Sequence, residues 1–189
     1  MAVQGGAGAV QLRDKKMSSA ELYAAALEIA EVCKNRAVFI VNDRLDVALA
    51  AGADGVHLGQ DDLPLKAARA IAPPGFIIGL SVSSVEEALL AARDGAGYVA
   101  VSPVFDTASK ADAGTGQGLG MVSAIRRALP NDIPVIGIGG LSEANIPQAI
   151  SAGADGIAVI SAVVSSPDIR AATERLLGVI RRAESCIDN

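Results

Sequence analysis

Gln11, Arg13 and Lys15 fall at alternate positions at the end of a short apolar run. In extended chain a period of two sets all three on one side. Arginine supplies a planar fork for phosphate oxygens, and lysine a compact point charge. Two cations and an amide facing one way favour an anion site over the competing explanation, an ordinary solvated edge. Asn42-Asp43 follows the apolar stretch Ala37-Val38-Phe39-Ile40-Val41. Asp43 could cap the segment after it, or offer its carboxylate to a hard cation. His57, the only histidine, alternates with Val56 and Leu58 and so points to the interior side of its strand. There it serves either as a satisfied structural residue or as a hydrogen-bonding group for a substrate. Gln60, Asp61 and Asp62 come next, and one of the two aspartates could pair with Asp43. Carboxylate oxygens completed by water and phosphate suit Mg²⁺, whereas the His and Cys ligands that zinc prefers are not clustered anywhere.

Thr107, Ser109 and Lys110 lie in a long segment after Ser102-Pro103-Val104-Phe105, and glycine-rich residues 113–118 continue it. A loop this long in a compact fold is usually a lid or a binding loop, the bland alternative being a surface excursion. Hydroxyls beside a lysine suit a phosphate over which the loop closes. Gly137-Ile138-Gly139-Gly140 and Ile160-Ser161 end two further apolar runs. Glycine lets backbone N–H groups approach a phosphate, and barrels often build such a site from their last two strand–helix loops. Two anion sites therefore emerge. Two phosphorylated substrates, one of them metal-bound, would account for both.

The elements that must position these groups read clearly. Strands are expected at 9–13, 38–42, 55–58, 76–81, 98–102, 134–139 and 156–160. Helices are expected at 19–35, 44–51, 65–72, 84–94, 121–129, 142–152 and 168–184, with Ser18 or Ser19 capping the first. One phrase recurs four times: AVQGGAGAVQLRD, ALAAGADGVHLGQ, LLAARDGAGYVAVSP and QAISAGADGIAVIS. Each copy is a helix tail, a small-residue turn and a short apolar strand. That joint, repeated, means parallel strands linked by helices, with polar groups gathered at the strands' C-terminal ends. Seven strands are one short of a closed eight-stranded barrel, and the chain starts inside what reads as a helix tail.

Composition agrees. A chain of 189 residues suffices for one α/β domain, and no composition break divides it, so residues 1–189 read as a single domain. Half the residues are apolar and few are aromatic, which fits buried aliphatic strands. A net charge of −5 without a basic run argues against nucleic acid. Cys33 and Cys186 form no CxxC pair, and no run has the length of a membrane span, so a cytoplasmic setting is expected.

With these residues in place, the chain resembles the thiamine phosphate synthase family. The matching signatures are VQLRDK at 10–15, VND at 41–43, GADGVHLGQDD at 52–62, GLS at 79–81, SPVFDTASK at 102–110, GIGG at 137–140 and GADGIAVISA at 153–162. The resemblance implies a TIM-type (β/α)8 barrel, here lacking its first strand. It implies a transferase that joins 4-amino-5-hydroxymethyl-2-methylpyrimidine diphosphate to thiazole phosphate, giving thiamine phosphate and pyrophosphate. It implies that Gln11, Arg13, Lys15 and Asn42 hold the diphosphate, that His57 lines the pyrimidine pocket, and that Asp43 and Asp62 bind Mg²⁺, with Asp61 not a ligand. Ser81 and Lys110 would contact the departing pyrophosphate. Thr107, Ser109, Gly140 and the Ile160-Ser161 backbone would hold the thiazole phosphate.

The chain departs from the family pattern in its missing first strand, in Asp106 where proline is common, and in Ser109 where threonine is common. The missing strand predicts an apolar seam beside 9–13 and 156–160, covered by an oligomer partner, by residues 1–8, or by nothing. Two other readings compete. A thiazole tautomerase of the same fold typically carries a histidine near the GLS strand end, and Ser81-Val82-Ser83-Ser84 contains none. A phosphate-binding barrel without activity would keep the anion sites alone.

Overall fold

A computed structural model describes residues 1–107 and 115–186. A single 3₁₀ turn at Val3–Gly5 precedes β1 (Ala9–Leu12). There follow α1 (Ser19–Cys33), β2 (Val38–Asn42), α2 (Leu45–Ala50), β3 (Gly55–Leu58), α3 (Leu65–Ile71) and β4 (Ile77–Val82). The second half comprises α4 (Val85–Arg93), β5 (Tyr98–Val101), α5 (Gly118–Ala128), β6 (Val135–Ile138), α6 (Ile146–Ser151), β7 (Gly156–Ala158), α7 (Ser161–Val164) and α8 (Ile169–Ser185). Among the described residues seven strands form one sheet in chain order, every pair parallel. This is a TIM-type barrel open by one strand.

The four-fold repeat is one hydrogen-bonding device. Ala7, Ala53, Ala96 and Ala154 each donate their N–H to the carbonyl five residues back, on Ala2, Ala48, Ala91 and Ala149. The residue before each donor is a glycine with positive φ, from +67° at Gly52 to +101° at Gly153. This is the Schellman ending, in which a left-handed glycine reverses the chain while satisfying an orphan helix carbonyl. Two copies add an aspartate that reaches sideways: Asp54 accepts from Phe39 N–H at 2.7 Å, and Asp155 from Val135 N–H at 2.8 Å. The turn thereby locks the new strand against its neighbour.

The sheet has two unlike faces. Phe39, Val41, Val56, Leu58, Ile78, Leu80, Val99, Val101 and Val135 form the core with Leu22, Ala26, Ala48, Ala68, Ala88, Val122 and Ile125 from the helices. Burying each of the larger aliphatic side chains contributes roughly 1.5–3 kcal/mol. The alternate positions face the barrel interior. There the register aligns Asn42, His57, Gly79 and Tyr98 as one row across β2 to β5. Strand ends beyond this row carry the polar residues.

Several expected boundaries shift, for local reasons. Helix α1 starts after Ser18, whose hydroxyl accepts from Glu21 N–H while the Glu21 carboxylate accepts from Ser18 N–H, a full capping box. Helix α6 starts only at Ile146, because Asn145 folds back to accept from Ser142 N–H at 2.8 Å. Helix α5 begins at Gly118, inside the glycine-rich stretch read as irregular. The last strand stops at Ala158, and Ile160 caps α7 instead of extending the strand. The sheet is open, as expected: β1 and β7 are its two edges and only partly buried. The turn at Val3–Gly5 pairs with neither edge; it packs on α8, where a Cβ at Gly5 would press on Arg170 and Thr173.

Candidate functional site

The end of β2 turns abruptly. Asp43 has φ of +63°, its N–H donates to the His57 carbonyl at 2.8 Å, and Arg44 N–H returns to the Asn42 carbonyl at 2.7 Å. Asp43 does not cap α2, which has no side-chain cap, so that competing explanation falls away. Its carboxylate is instead three-quarters shielded and meets Lys15 at 3.7 Å. Asp14 shapes the loop carrying that lysine by accepting from the N–H groups of Lys16 and Met17.

Asp62 reaches the same point from β3. One of its oxygens accepts from Gly59 N–H at 2.6 Å, which closes the Gly59–Asp62 turn and aims the carboxylate inward. The Asp43 proton is held more tightly than usual, first by burial, then by a hydrogen bond and like charge from Asp62; Lys15 and Arg13 pull the other way. Two carboxylates in contact, flanked by two cations, make a site that takes either a shared proton or a hard cation. It is Asp62, not the exposed Asp61, that Asp43 meets. Among the described residues no group of three or more His, Cys, Asp or Glu could hold a metal, so water and ligand oxygens must complete any coordination here.

His57 lies buried below this pair. Its Nδ1 is 2.8 Å from the Tyr98 hydroxyl, its Nε2 is 2.9 Å from Ser81 Oγ, and its ring stacks on Tyr98 with centroids 5.5 Å apart. Gln60 donates to the Ser81 carbonyl at 2.6 Å, tying the Asp62 turn to the end of β4. Gln11 is exposed on the edge strand in register with Ile40, Arg13 is partly buried, and Asn42 is buried.

The second cluster sits across the rim. A cavity of about 50 Å³ is lined by Ser102, Thr107, Gly139, Gly140, Ile160 and Ser161, among others. The two glycines are needed for packing as much as for a ligand. A Cβ at Gly139 would press on Pro103, and one at Gly140 on Phe105 and Asp106. Asn145 fixes this turn by donating to the Gly140 carbonyl at 2.8 Å. Asp106, the departure from proline, accepts from Gly116 N–H at 2.8 Å and so bridges the two described ends of the loop. Ser109 and Lys110 lie outside the described residues.

Sequence reasoning missed Tyr98; it named Gln60 and Asp106 but not their partners, the Ser81 carbonyl and Gly116 N–H. Tyr98 stood only as the first residue of a strand, and its partnership with His57 spans 41 positions, beyond any local pattern.

Comparisons place this geometry among known proteins. The family model described as thiamine monophosphate synthase matches residues 1–163. A thiamine-phosphate synthase from Methanospirillum hungatei is 58% identical over 174 residues, covering 92% of this chain and 84% of the relative. One from Methanocella arvoryzae is 54% identical, covering 95% of this chain and 84% of the relative. The solved thiamine phosphate pyrophosphorylase from Pyrococcus furiosus superposes with a TM-score of 0.89 at 42% identity, covering 96% of this chain and 87% of that one.

Proposed function

The chain belongs to the thiamine monophosphate synthase family, a transferase of thiamine biosynthesis, and from that premise we propose how it divides two substrates across the barrel mouth. The reaction joins 4-amino-5-hydroxymethyl-2-methylpyrimidine diphosphate to thiazole phosphate and releases pyrophosphate. The diphosphate takes the end near β1 to β4, between Gln11, Arg13, Lys15, Asn42 and Ser81. The thiazole phosphate takes the cavity at β6 and β7, held by Thr107, Gly140 and the Ile160-Ser161 backbone, with Ser109 from the loop. The observation that carries this division is the Asp43–Asp62 contact, flanked by Lys15 and Arg13, at a distinct end of the rim from the glycine-lined cavity.

The carboxylate pair fits Mg²⁺: oxygen donors only, mutually repelling, and open to phosphate oxygens. Mg²⁺ bound there would neutralise charge on the leaving diphosphate. Asp43 and Asp62 would hold it. Arg13 and Lys15, with Lys110 from the loop, stabilise the negative charge that grows as the carbon–oxygen bond breaks. The amino-pyrimidine spreads the positive charge left behind, and the thiazole nitrogen captures it. No side chain acts as nucleophile, so positioning and electrostatics carry the rate. His57 lines the floor beneath the pyrimidine. The same reading expects a cytoplasmic protein acting as a single domain, with a second copy available to cover the open seam.

Purified protein incubated with both substrates and Mg²⁺ should release thiamine phosphate. Binding of either substrate without product would overturn this reading in favour of an inactive barrel. Isomerisation of the thiazole without coupling would overturn it in favour of a tautomerase.

A further inference from the structure

The contacts of His57 define a directed chain. The Tyr98 hydroxyl has one hydrogen-bond partner among the described residues, His57 Nδ1 at 2.8 Å. A buried phenol must place its proton on an acceptor, and the imidazole nitrogen is the acceptor in reach. The phenol also stays protonated, because burial pushes its pKa well above the usual tyrosine range. Nδ1 therefore carries no proton, and Nε2, 2.9 Å from Ser81 Oγ, does. Ser81 Oγ accepts that N–H. Its own proton has no acceptor among the described residues and is left for a ligand.

Geometry makes the chain rigid. Asn42, His57, Gly79 and Tyr98 are neighbours in one register row, and Ser81 lies two residues along β4 from Gly79 on the same interior face. The His57 and Tyr98 rings stack, with an interplanar angle of 24°. Gln60 donates to the Ser81 carbonyl, which ties this end of β4 to the Gly59–Asp62 turn that carries one carboxylate of the pair.

We propose that Tyr98 is a positioning residue for the reaction: it fixes His57 as the Nε2–H tautomer, which makes Ser81 an obligatory hydrogen-bond donor toward the departing diphosphate. This rests on the placement of the diphosphate proposed above. Neither Tyr98 nor His57 exchanges a proton with substrate in this scheme. They set the direction of one hydroxyl.

The single histidine makes the test direct, because ¹⁵N NMR of labelled protein reads one imidazole. The wild-type ring should carry its proton on Nε2. In Tyr98→Phe, which keeps the stacked ring but loses the donor, the proton should redistribute to Nδ1. Turnover in Tyr98→Phe should fall roughly 10- to 100-fold, by analogy with the loss of an outer partner that orients a metal-bound histidine, with KM for the diphosphate nearly unchanged. Ser81→Ala should lower kcat comparably, and the double variant should lose little more than Ser81→Ala alone. An Nδ1–H ring in the wild type, an unchanged tautomer in Tyr98→Phe, or additive losses in the double variant would overturn the proposal. The expected tautomers combined with full turnover in Ser81→Ala would instead overturn the placement of the leaving group at Ser81.

Discussion

Gly79 and Tyr98 stand directly opposite one another in the β4–β5 ladder, and the tyrosine ring fills the space that any side chain at position 79 would need. The glycine is thus part of the His57 site without touching a ligand. It lets a large ring cross the barrel floor and reach the neighbouring strand but one.

Gly79→Ala should expel that ring or force the strands apart. The added methyl overlaps ring carbons and the hydroxyl, so the expected cost is about 2 kcal/mol, within the range for overpacked cores. Urea melts with an unchanged m-value should show it. A variant as stable as wild type would mean that the ring has room elsewhere.

Asp43→Asn should abolish Mg²⁺-dependent turnover yet raise the stability of the metal-free protein. Asparagine tolerates the left-handed φ of this position, which alanine does not. Removing one of two facing charges is worth about 1 kcal/mol, the scale of two unit charges near each other in water. The sign of the pH effect follows from the raised proton affinity of folded Asp43 above its usual 3.8. The folded state binds this proton more tightly than the unfolded chain does. Stability from this group is therefore full at low pH and is lost as pH rises from the unfolded value through the folded one. Mg²⁺ affinity should climb over the same window as the proton leaves. Thermal melts across pH, with and without Mg²⁺, should show both trends in wild type and neither in Asp43→Asn.

Asp155→Ala separates structure from chemistry. This aspartate accepts from Val135 N–H and pairs with Arg126, far from the carboxylate pair. Leaving those donors without it should cost about 1–3 kcal/mol. The kcat measured below the melting transition should stay at the wild-type value.

Lys110→Ala should reduce kcat more than it raises KM for the thiazole phosphate, because its proposed work is on charge that develops in the transition state. Steady-state kinetics with each substrate varied in turn would check this. A change in thiazole KM alone would move Lys110 to the other anion site.

Residue order by itself determined most of the architecture. Alternating apolar strands, Ala-rich helices and a repeated glycine turn each impose their geometry over a few residues, so seven parallel strands linked by helices were legible, while the barrel one strand short was implied by the family resemblance. A cap at Ser18 or Ser19, which the structure gives to Ser18, the strand-end carboxylate Asp43 and the interior histidine His57 were likewise legible, because each role depends on immediate neighbours. Tertiary structure alone decided which groups meet. The residues alone left Asp61 and Asp62 both open as partners of Asp43, with Asp62 implied by the family resemblance; the folded chain brings Asp62 to Asp43, sets Tyr98 against His57, and ties Gln60 to Ser81. Those choices hang on the register between strands distant in sequence, which no local periodicity encodes. The repeat supplied the joints; the ladder of hydrogen bonds between strands supplied the site.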